Sequence, residues 1–422
     1  MKCHVDVAVV GGGPAGLGAA ISISERTDSS VTVVDEGPIA GGRLRAQLYR
    51  QNGNWFIGSN HARILSERAE NLGVRILSGV QVWSVTSRTF HRPSPPSESG
   101  PSIGGNSARF SLGLEGGDVL TSDYLVIATG ATETPIGMQG WTTPGVLAVG
   151  AVQSMINLHR VLPGERMAVI GVDPLSLAIA DELAAAGVSV SGIYLPPPTS
   201  PDPEPPHAVI ERLAALRAFA PTRLAALGMG ALALPRFAEF AARVWPHRGV
   251  TIAGLPLHLR ECVVAIDGDD AVTGVRTATV DSLGMPSGTE RFLPVDSVCI
   301  SGGLTPLLDL TRECEHVDIP ELGGRVPLVG PDLETTVDGL HLAGNVTGVE
   351  SAEVAKKQGF LAGAAIARDL LGGKGTDDLE EARSQVDSAR RSAPLSFLPG
   401  IIEGRRRMNE LWQSYAGSVV GS

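Results

Sequence analysis

Two Gly-rich turns carry the chemistry that this chain is able to do. The first is Gly11-x-Gly13-x-x-Gly16, enclosing Pro14 and Ala15, and it follows the apolar run Val5-Asp-Val-Ala-Val-Val10. Gly11 permits a tight turn, Gly13 lets backbone approach a pyrophosphate, and Gly16 lets helix and strand pack closely. The helix N-terminus can then hold the anion. A lone G-x-G-x-x-G says little. Here a second strand, Val31-Thr-Val-Val34, ends in Asp35, nineteen residues after Gly16, where an acid that bonds a ribose is expected. Glu36 follows, then Gly41-Gly42-Arg43, whose adjacent glycines bring backbone near a flat or phosphorylated ligand. Arg43 either lies beside that ligand's phosphates or ring system or is an ordinary surface arginine.

The second turn is a degraded copy, Gly171-Val-Asp173-Pro-Leu-Ser176, after the strand Met167-Ala-Val-Ile170. Asp173 stands where backbone would reach a pyrophosphate, and Ser176 stands where helix and strand would pack. A carboxylate beside a diphosphate repels it by about 1 kcal/mol or more at surface-like dielectric. Asp173 before Pro174 also reads as a helix N-cap, which leaves a phosphate little to bind. The next strand ends in Tyr194-Leu195-Pro196, with neither an acid for a ribose 2′-OH nor an Arg for a 2′-phosphate. NAD(P) is therefore not expected at this second turn.

Other chemistries have no residues to carry them. Cys3, Cys262, Cys299 and Cys314 form no C-x-x-C, so neither a dithiol redox centre nor a locally held iron–sulfur cluster is expected, and no metal set is visible. No Ser/His/Asp set or acid pair stands at diagnostic spacing, so the catalytic residues are unknown. His61 and His207 read as structural or solvent-exposed. Glu353, Lys356 and Lys357 read as a solvated helix face, with steering of electrons or substrate as the alternative.

The elements that must position these turns give an α/β fold of two Rossmann-like dinucleotide-binding domains. At 422 residues, 43% hydrophobic, 4% aromatic and with 52 Gly, the chain suits two or three α/β units. Its net charge of −11 and lack of a long basic run argue against nucleic acid. The longest apolar run, residues 224–235, is too short to span a bilayer, and a strand at the very N-terminus leaves no signal peptide, so a cytoplasmic protein is expected.

Periodicity predicts helices over 59–72, 175–186, 207–219 and 351–371. It predicts strands over 74–77, 80–85, 109–114, 124–128, 188–195, 263–266, 272–280 and 295–300. Residues 93–106 read as a loop and 196–206 as a Pro-rich excursion. The expected domains are 1–150 and 326–372 as two parts of one unit, 151–325 as the second Rossmann-like unit, and 373–422 as a helical tail. Residues 401–412 of that tail, with Arg405-Arg-Arg407, form either a subunit-docking helix or one folded on its own subunit.

Residues 5–16, Asp35, Gly41-Gly42, Ala128-Thr129-Gly130 and Ala343-Gly344-Asn345 fall in an order that resembles the pyridine nucleotide–disulfide oxidoreductase superfamily, in the two-domain form of glutathione and thioredoxin reductases. The segments Ala128-Thr-Gly-Ala-Thr-Glu-Thr-Pro135, Gly140-Trp-Thr-Thr-Pro-Gly-Val146 and Leu162-Pro-Gly164 are similar to FAD-containing α/B subunits of bacterial heteromeric dehydrogenases. That group includes dye-linked proline dehydrogenase, opine oxidases and hydrogen cyanide synthase.

The resemblance implies one FAD. Gly11, Gly13, Pro14, Ala15 and Gly16 would hold its pyrophosphate, and Asp35 with Glu36 its adenosine ribose. Backbone at Val82 would lie near the adenine, and Gly42 and Arg43 near the flavin end. Ala128, Thr129 and Gly130 would pass beneath, Gly344 and Asn345 would meet the ribityl and phosphate, and Ser351-Ala352 would aim N–H groups at the flavin N1/O2 edge.

It also implies a hetero-oligomer. A flavin-bearing catalytic subunit would oxidise an amino or imino acid C–N bond, a small iron–sulfur subunit would accompany it, and this chain would relay electrons or support assembly. A stand-alone NAD(P)H-dependent FAD reductase and a structural subunit with non-redox nucleotide sites are the alternatives. Two departures stand out: Asn345 replaces the family's usual acid, and the Cys-rich C-terminal segment of some members is not seen, so any cluster is expected on another polypeptide.

Overall fold

The computed structural model describes residues 2–51, 54–88, 108–198, 205–214, 234–246, 248–252, 254–393, 398 and 400–420. The expected 93–106 loop, most of the Pro-rich run, the end of the 207–219 helix, most of the 224–235 apolar run and Pro394 and Pro399 lie outside them. By its contacts the chain divides into two units, one of residues 1–45, 57–132 and 305–422, the other of 46–56 and 133–304.

The first unit is built on β1 (Lys2–Val10), α1 (Pro14–Ser24), β2 (Val31–Asp35), α2 (Gly58–Asn71), β3 (Arg75–Ser78), β4 (Val82–Ser87), β5 (Phe110–Leu114), β6 (Val119–Ile127) and β7 (Leu340–Leu342). Three helices close it: α3 (Ala352–Leu370), α4 (Thr376–Ser392) and α5 (Ile401–Val420). Its sheet runs β3-β2-β1-β6-β5-β4, with β7 also on β6. Pairing is parallel from β3 to β6 and at β7, and antiparallel through β4, β5 and the first half of β6. Val7, Ala8 and Val9 are all fully buried, as expected of a parallel strand covered on both faces, which is why β1 reads as a continuous apolar run.

Helix α3 lies against α1 at backbone contact. A Cβ at Gly359 would sit 2.0 Å from the Ala15 carbonyl oxygen, so only glycine permits that approach. The Ser22 hydroxyl donates to the Phe360 carbonyl at 2.8 Å across the same contact. The C-terminal helices belong to this unit too. Leu379, Ala382 and Val386 of α4 and Met408 of α5 are buried in the same core as β1. Apolar Leu411, Trp412 and Tyr415 pack against it.

The second unit centres on a sheet ordered Val146–Ala148, Ser297–Ile300, Arg166–Ile170, Ser189–Leu195, Leu255–Asp267, Gly274–Val280 and Pro286–Leu293. The first five strands pair in parallel and the last three form an antiparallel meander. Helix Pro174–Ala185 follows the central strand, as the second Gly turn requires. The unit boundaries fall at 132/133 and 304/305 and not at the 150/151 and 325/326 expected, for a physical reason. Val146–Ala148 is an edge strand of this second sheet, and His316–Ile319 pairs with Gly324–Pro327 within the first unit. No helix among the described residues is long and apolar enough to cross a membrane.

Candidate functional site

The site begins where β1 ends. Gly11 has φ +104°, and a Cβ there would lie 2.4 Å from the Ala128 carbonyl oxygen. A Cβ at Gly16 would lie 1.8 Å from the Gly11 carbonyl oxygen, so these two glycines are demanded by the turn itself. Gly13 differs: a Cβ there meets nothing within 4 Å, and its φ of −74° suits any residue. Its missing side chain leaves open space above the first turn of α1. Pro14 occupies the first helical position, where no N–H is lost, and no side chain caps this helix end. The backbone donors of Ala15 and Gly16 and the positive end of the helix dipole thus stay available to an anion.

The other expected residues gather along the C-terminal ends of the parallel strands, the usual place for a ligand in such a sheet. Asp35 closes β2, and its carboxylate accepts from the Gly12 N–H at 2.5 Å and the Gly37 N–H at 2.8 Å. Its carboxylate thus ties the turn to β2 and keeps further lone pairs. Glu36 beside it is exposed. The N–H groups of Gly79 and Val80 donate to Gly37 and Asp35 carbonyls at 2.8 and 3.0 Å, bringing the chain up to Val82 alongside. Gly41 donates its N–H to the Gly12 carbonyl at 2.7 Å, and a Cβ at Gly42 would lie 3.1 Å from the Gly13 Cα. Arg43 extends from there, exposed.

After β6, the Ala128 N–H donates to the Val10 carbonyl at 2.7 Å. Thr129 and Gly130 then pair with Leu307, through the Thr129 hydroxyl at 3.2 Å and the Gly130 carbonyl at 3.1 Å. After β7, Gly344 turns with φ +82°, and a Cβ there would reach 2.8 Å from the Ala15 Cβ. The Gly344–Asn345 turn therefore abuts the first turn of α1. The Asn345 side-chain oxygen accepts from the Glu350 N–H at 3.1 Å, which shapes the turn into α3. Ser351 caps α3, its hydroxyl accepting from the Val354 N–H at 3.3 Å, and Ala352 opens the helix.

Sequence alone does not single out the residues that brace this turn. Gln358 accepts the Gly344 N–H at 2.8 Å through its side-chain oxygen, and the Thr347 hydroxyl donates to the Gly344 carbonyl at 3.0 Å. Gln358, Thr347 and Glu350 are all buried. Their signal, polar types on the inward face of an Ala-rich helix and its entry, is visible only once that face is known.

The second Gly turn has the same backbone plan and the opposite outcome. Gly171 again has φ +106°, and Pro174 again starts the helix. Asp173, however, caps it: one carboxylate oxygen accepts from the N–H groups of Leu175 at 2.7 Å and Ser176 at 2.9 Å. The other accepts from the Ser301 hydroxyl at 2.6 Å. The Ser176 hydroxyl in turn accepts from the Asp173 N–H at 3.0 Å, completing a capping box. Tyr194 and Leu195, where a ribose partner would stand, are buried in apolar clusters.

Among the described residues no other chemistry is assembled. All four cysteines are free thiols. Burial pushes the thiols of Cys262 and Cys314 up to about 11 and about 12, and raises that of Cys299 as well, so none of the three is a thiolate nucleophile at neutral pH. His4, Asp6 and Asp123 come within 4.8 Å of one another at the opposite end of the sheet. Asp6 is already engaged there with the Ser30 N–H and hydroxyl, both at 2.7 Å. An open hollow of about 490 Å³ at the C-terminal ends of α1 and α3, lined by Glu25, Arg26, Asp28 and Leu370 among others, is likewise remote from the Gly turn.

An open Gly turn over a parallel sheet edged by antiparallel strands, in a chain that carries a second sheet of related plan, defines a protein of two Rossmann-like units. The chain matches the pyridine nucleotide-disulphide oxidoreductase family over residues 5–359 and belongs to it, an FAD oxidoreductase by class. It is similar to an opine oxidase subunit of Agrobacterium tumefaciens, 28% identical over 372 residues that cover 86% of this chain and 66% of that one. It is also similar to the hydrogen cyanide synthase subunit HcnB of Pseudomonas aeruginosa, 26% identical over 400 residues, 93% of this chain and 77% of that one. Among solved structures, L-proline dehydrogenase from P. horikoshii shares the fold with a TM-score of 0.59 at 17% identity, over 90% of this chain and 59% of that one. The chain thus spans about two thirds of the length of the opine oxidase subunit.

Proposed function

We propose that this chain is the FAD-binding, electron-relaying subunit of a heteromeric oxidoreductase that acts on the C–N bond of an amino or imino acid. The observation that carries the reading is the contrast between two like helix ends. The end at Gly13 is bare and faces open space, whereas the end at Asp173 is closed by its own carboxylate. One dinucleotide is accommodated, and the donors a second would need are already taken. The relatives named as subunits of opine oxidase and hydrogen cyanide synthase support a place in a heteromeric assembly.

The residues present fit FAD. Ala15 and Gly16 N–H groups would hold its pyrophosphate in the space that Gly13 leaves free, and Asp35 would accept from the adenosine ribose while Val82 backbone lies by the adenine. The Asn345 amide would meet the ribityl chain, with Thr129 and Gly130 beneath and Gly42 and Arg43 toward the ring. The N-terminal end of α3, at Ser351-Ala352, would place positive potential where reduction adds charge. When bound, FAD supplies the electron-accepting and electron-donating chemistry; the chain's residues bind, orient and tune. The substrate pocket lies on a partner, a flavin-bearing catalytic subunit, with any iron–sulfur cluster on a further small subunit. NAD(P) is not a ligand of the second unit.

Anaerobic mixing of the FAD-loaded chain with NADH or NADPH tests this. The flavin spectrum is expected to stay oxidised at saturating nucleotide, and to bleach when the co-expressed partner and an imino or amino acid are supplied. Rapid bleaching by NAD(P)H alone would favour a stand-alone reductase and overturn the proposal.

A further inference from the structure

The Gly344–Asn345 turn is held from behind by the C-terminal helices. Glu350, 7% exposed, receives Gln358 Nε2 at 2.9 Å, Arg390 Nε at 2.6 Å and an Arg405 guanidinium nitrogen at 2.6 Å. Arg390 belongs to α4 and Arg405 to α5. Arg405 also donates to the Thr347 carbonyl at 2.9 Å and the Thr347 hydroxyl oxygen at 3.2 Å. Gln358 and Thr347 are the side chains that hold the N–H and the carbonyl of Gly344. Burial works against the Glu350 charge, but the two guanidiniums outweigh it and hold its carboxyl below the usual carboxylate range. Such a buried pair is costly to break from one side, because the partner is left charged and dry.

We propose that α4 and α5 are a built-in part of the cofactor site, with Arg390 and Arg405 acting through Glu350, Gln358 and Thr347 to hold the Gly344–Asn345 turn in its binding shape. The inference rests on the FAD assignment above. Arg405 and Arg390 are thereby positioning residues. The next residue, Arg406, provides the contrast: it is exposed and, among the described residues, pairs along its own helix, with Glu403 and Glu410. A helix reserved for a partner would show the Arg406 pattern at Arg405 as well.

The test uses the full chain with Arg405→Met, Arg405→Lys, Gln358→Met and, as control, Arg406→Gln. FAD is titrated into each apoprotein, the visible band of the bound flavin is recorded, and the apoprotein melting midpoint is measured. Arg405→Met and Gln358→Met are expected to weaken FAD binding by about tenfold or more and to shift the flavin band. Arg405→Lys should restore part of the affinity, because it returns the charge but not the planar fork, and Arg406→Gln should match wild type. Wild-type affinity and spectrum in both Met variants would overturn the proposal, whatever happens to the melting midpoint. If Arg405→Met does not fold, Arg405→Lys decides: it keeps a charge beside Glu350 but loses the fork onto Thr347, and wild-type FAD affinity and spectrum in it would overturn the proposal. A wild-type chain that binds no FAD would sink the FAD assignment and this inference with it, a result distinct from variants that bind as well as wild type.

Discussion

Gly13 and Gly16 are three residues apart in one motif, yet alanine at the two positions should do opposite things. At Gly13 the backbone is ordinary, with φ −74°, and a Cβ meets nothing within 4 Å. Alanine is a poorer N-cap than glycine by about 0.5–1 kcal/mol. Restricting the unfolded chain returns about 0.4–1 kcal/mol. The apoprotein should therefore keep its stability to within about 0.5 kcal/mol by that balance. The added methyl instead enters the space proposed for the pyrophosphate, so FAD affinity should fall at least about tenfold. At Gly16 the Cβ would stand 1.8 Å from the Gly11 carbonyl oxygen and 3.1 Å from Val9 Cγ1. Backbone has to move, at the cost of about 1–3 kcal/mol typical of overpacking, and both stability and binding should drop. Thermal melts of the apoproteins beside FAD titrations by flavin fluorescence separate the two. Wild-type FAD affinity in Gly13→Ala, or an apoprotein melt lowered as far as that of Gly16→Ala, would refute the placement of the pyrophosphate.

Three further outcomes are expected. Asp173→Ala removes a cap worth about 1 kcal/mol and leaves the buried Ser301 hydroxyl without its acceptor, about 1–3 kcal/mol more, whereas Asp173→Asn keeps the cap; amide exchange in helix Pro174–Ala185 should speed accordingly, and equal exchange in both variants would contradict the capping role. Burial lowers the His341 pKa from 6.5 to about 4, so between those values the unfolded state binds more protons and stability falls as pH drops, by up to about 3 kcal/mol; urea midpoints of His341→Met should lose this slope, and an unchanged slope would exclude His341 as its source. Native protein should offer one fast equivalent to a thiol reagent, half-buried Cys3, with Cys262, Cys299 and Cys314 reacting only after unfolding; titration counts them, and a second fast thiol in folded protein would contradict the packing.

What the sequence made legible follows from how locally each feature is determined. Gly11 and Gly16 are demanded by backbone contacts within a few residues or one strand over, and β1 is buried on both faces, so motif and strand stand out together. The Asp173 cap is equally local. Strand Pro286–Leu293 was not legible, because it lies at a sheet edge with Pro286 to Phe292 exposed and carries no apolar alternation. Nor was the place of Val146–Ala148, a three-residue strand that joins the second unit by pairing with the distant Ser297–Ile300. Arg405 was the hardest. It stands in Arg405-Arg-Arg407 as one of three like charges, and nothing local separates it from Arg406. A carboxylate 55 residues earlier in the chain makes the difference.

The two Gly turns share a backbone and differ in what finishes the helix. In both, a glycine with positive φ ends the strand and a proline begins the helix. The first leaves the cap position without a side chain, so an anion can complete the helix end. In the second Asp173 completes it, and Ser176 and Ser301 fill the remaining hydrogen bonds. A bound phosphate and a capping carboxylate satisfy the same orphan N–H groups. Conversion of a binding turn to a structural one therefore stabilises the apo form while closing the site, which makes it hard to reverse by one substitution. Asp173→Gly alone would expose the donors, but the buried Tyr194 and Leu195 would still offer no carboxylate to a ribose. On the proposed reading, the second unit is left a structural task and the dinucleotide site is the turn at Gly13.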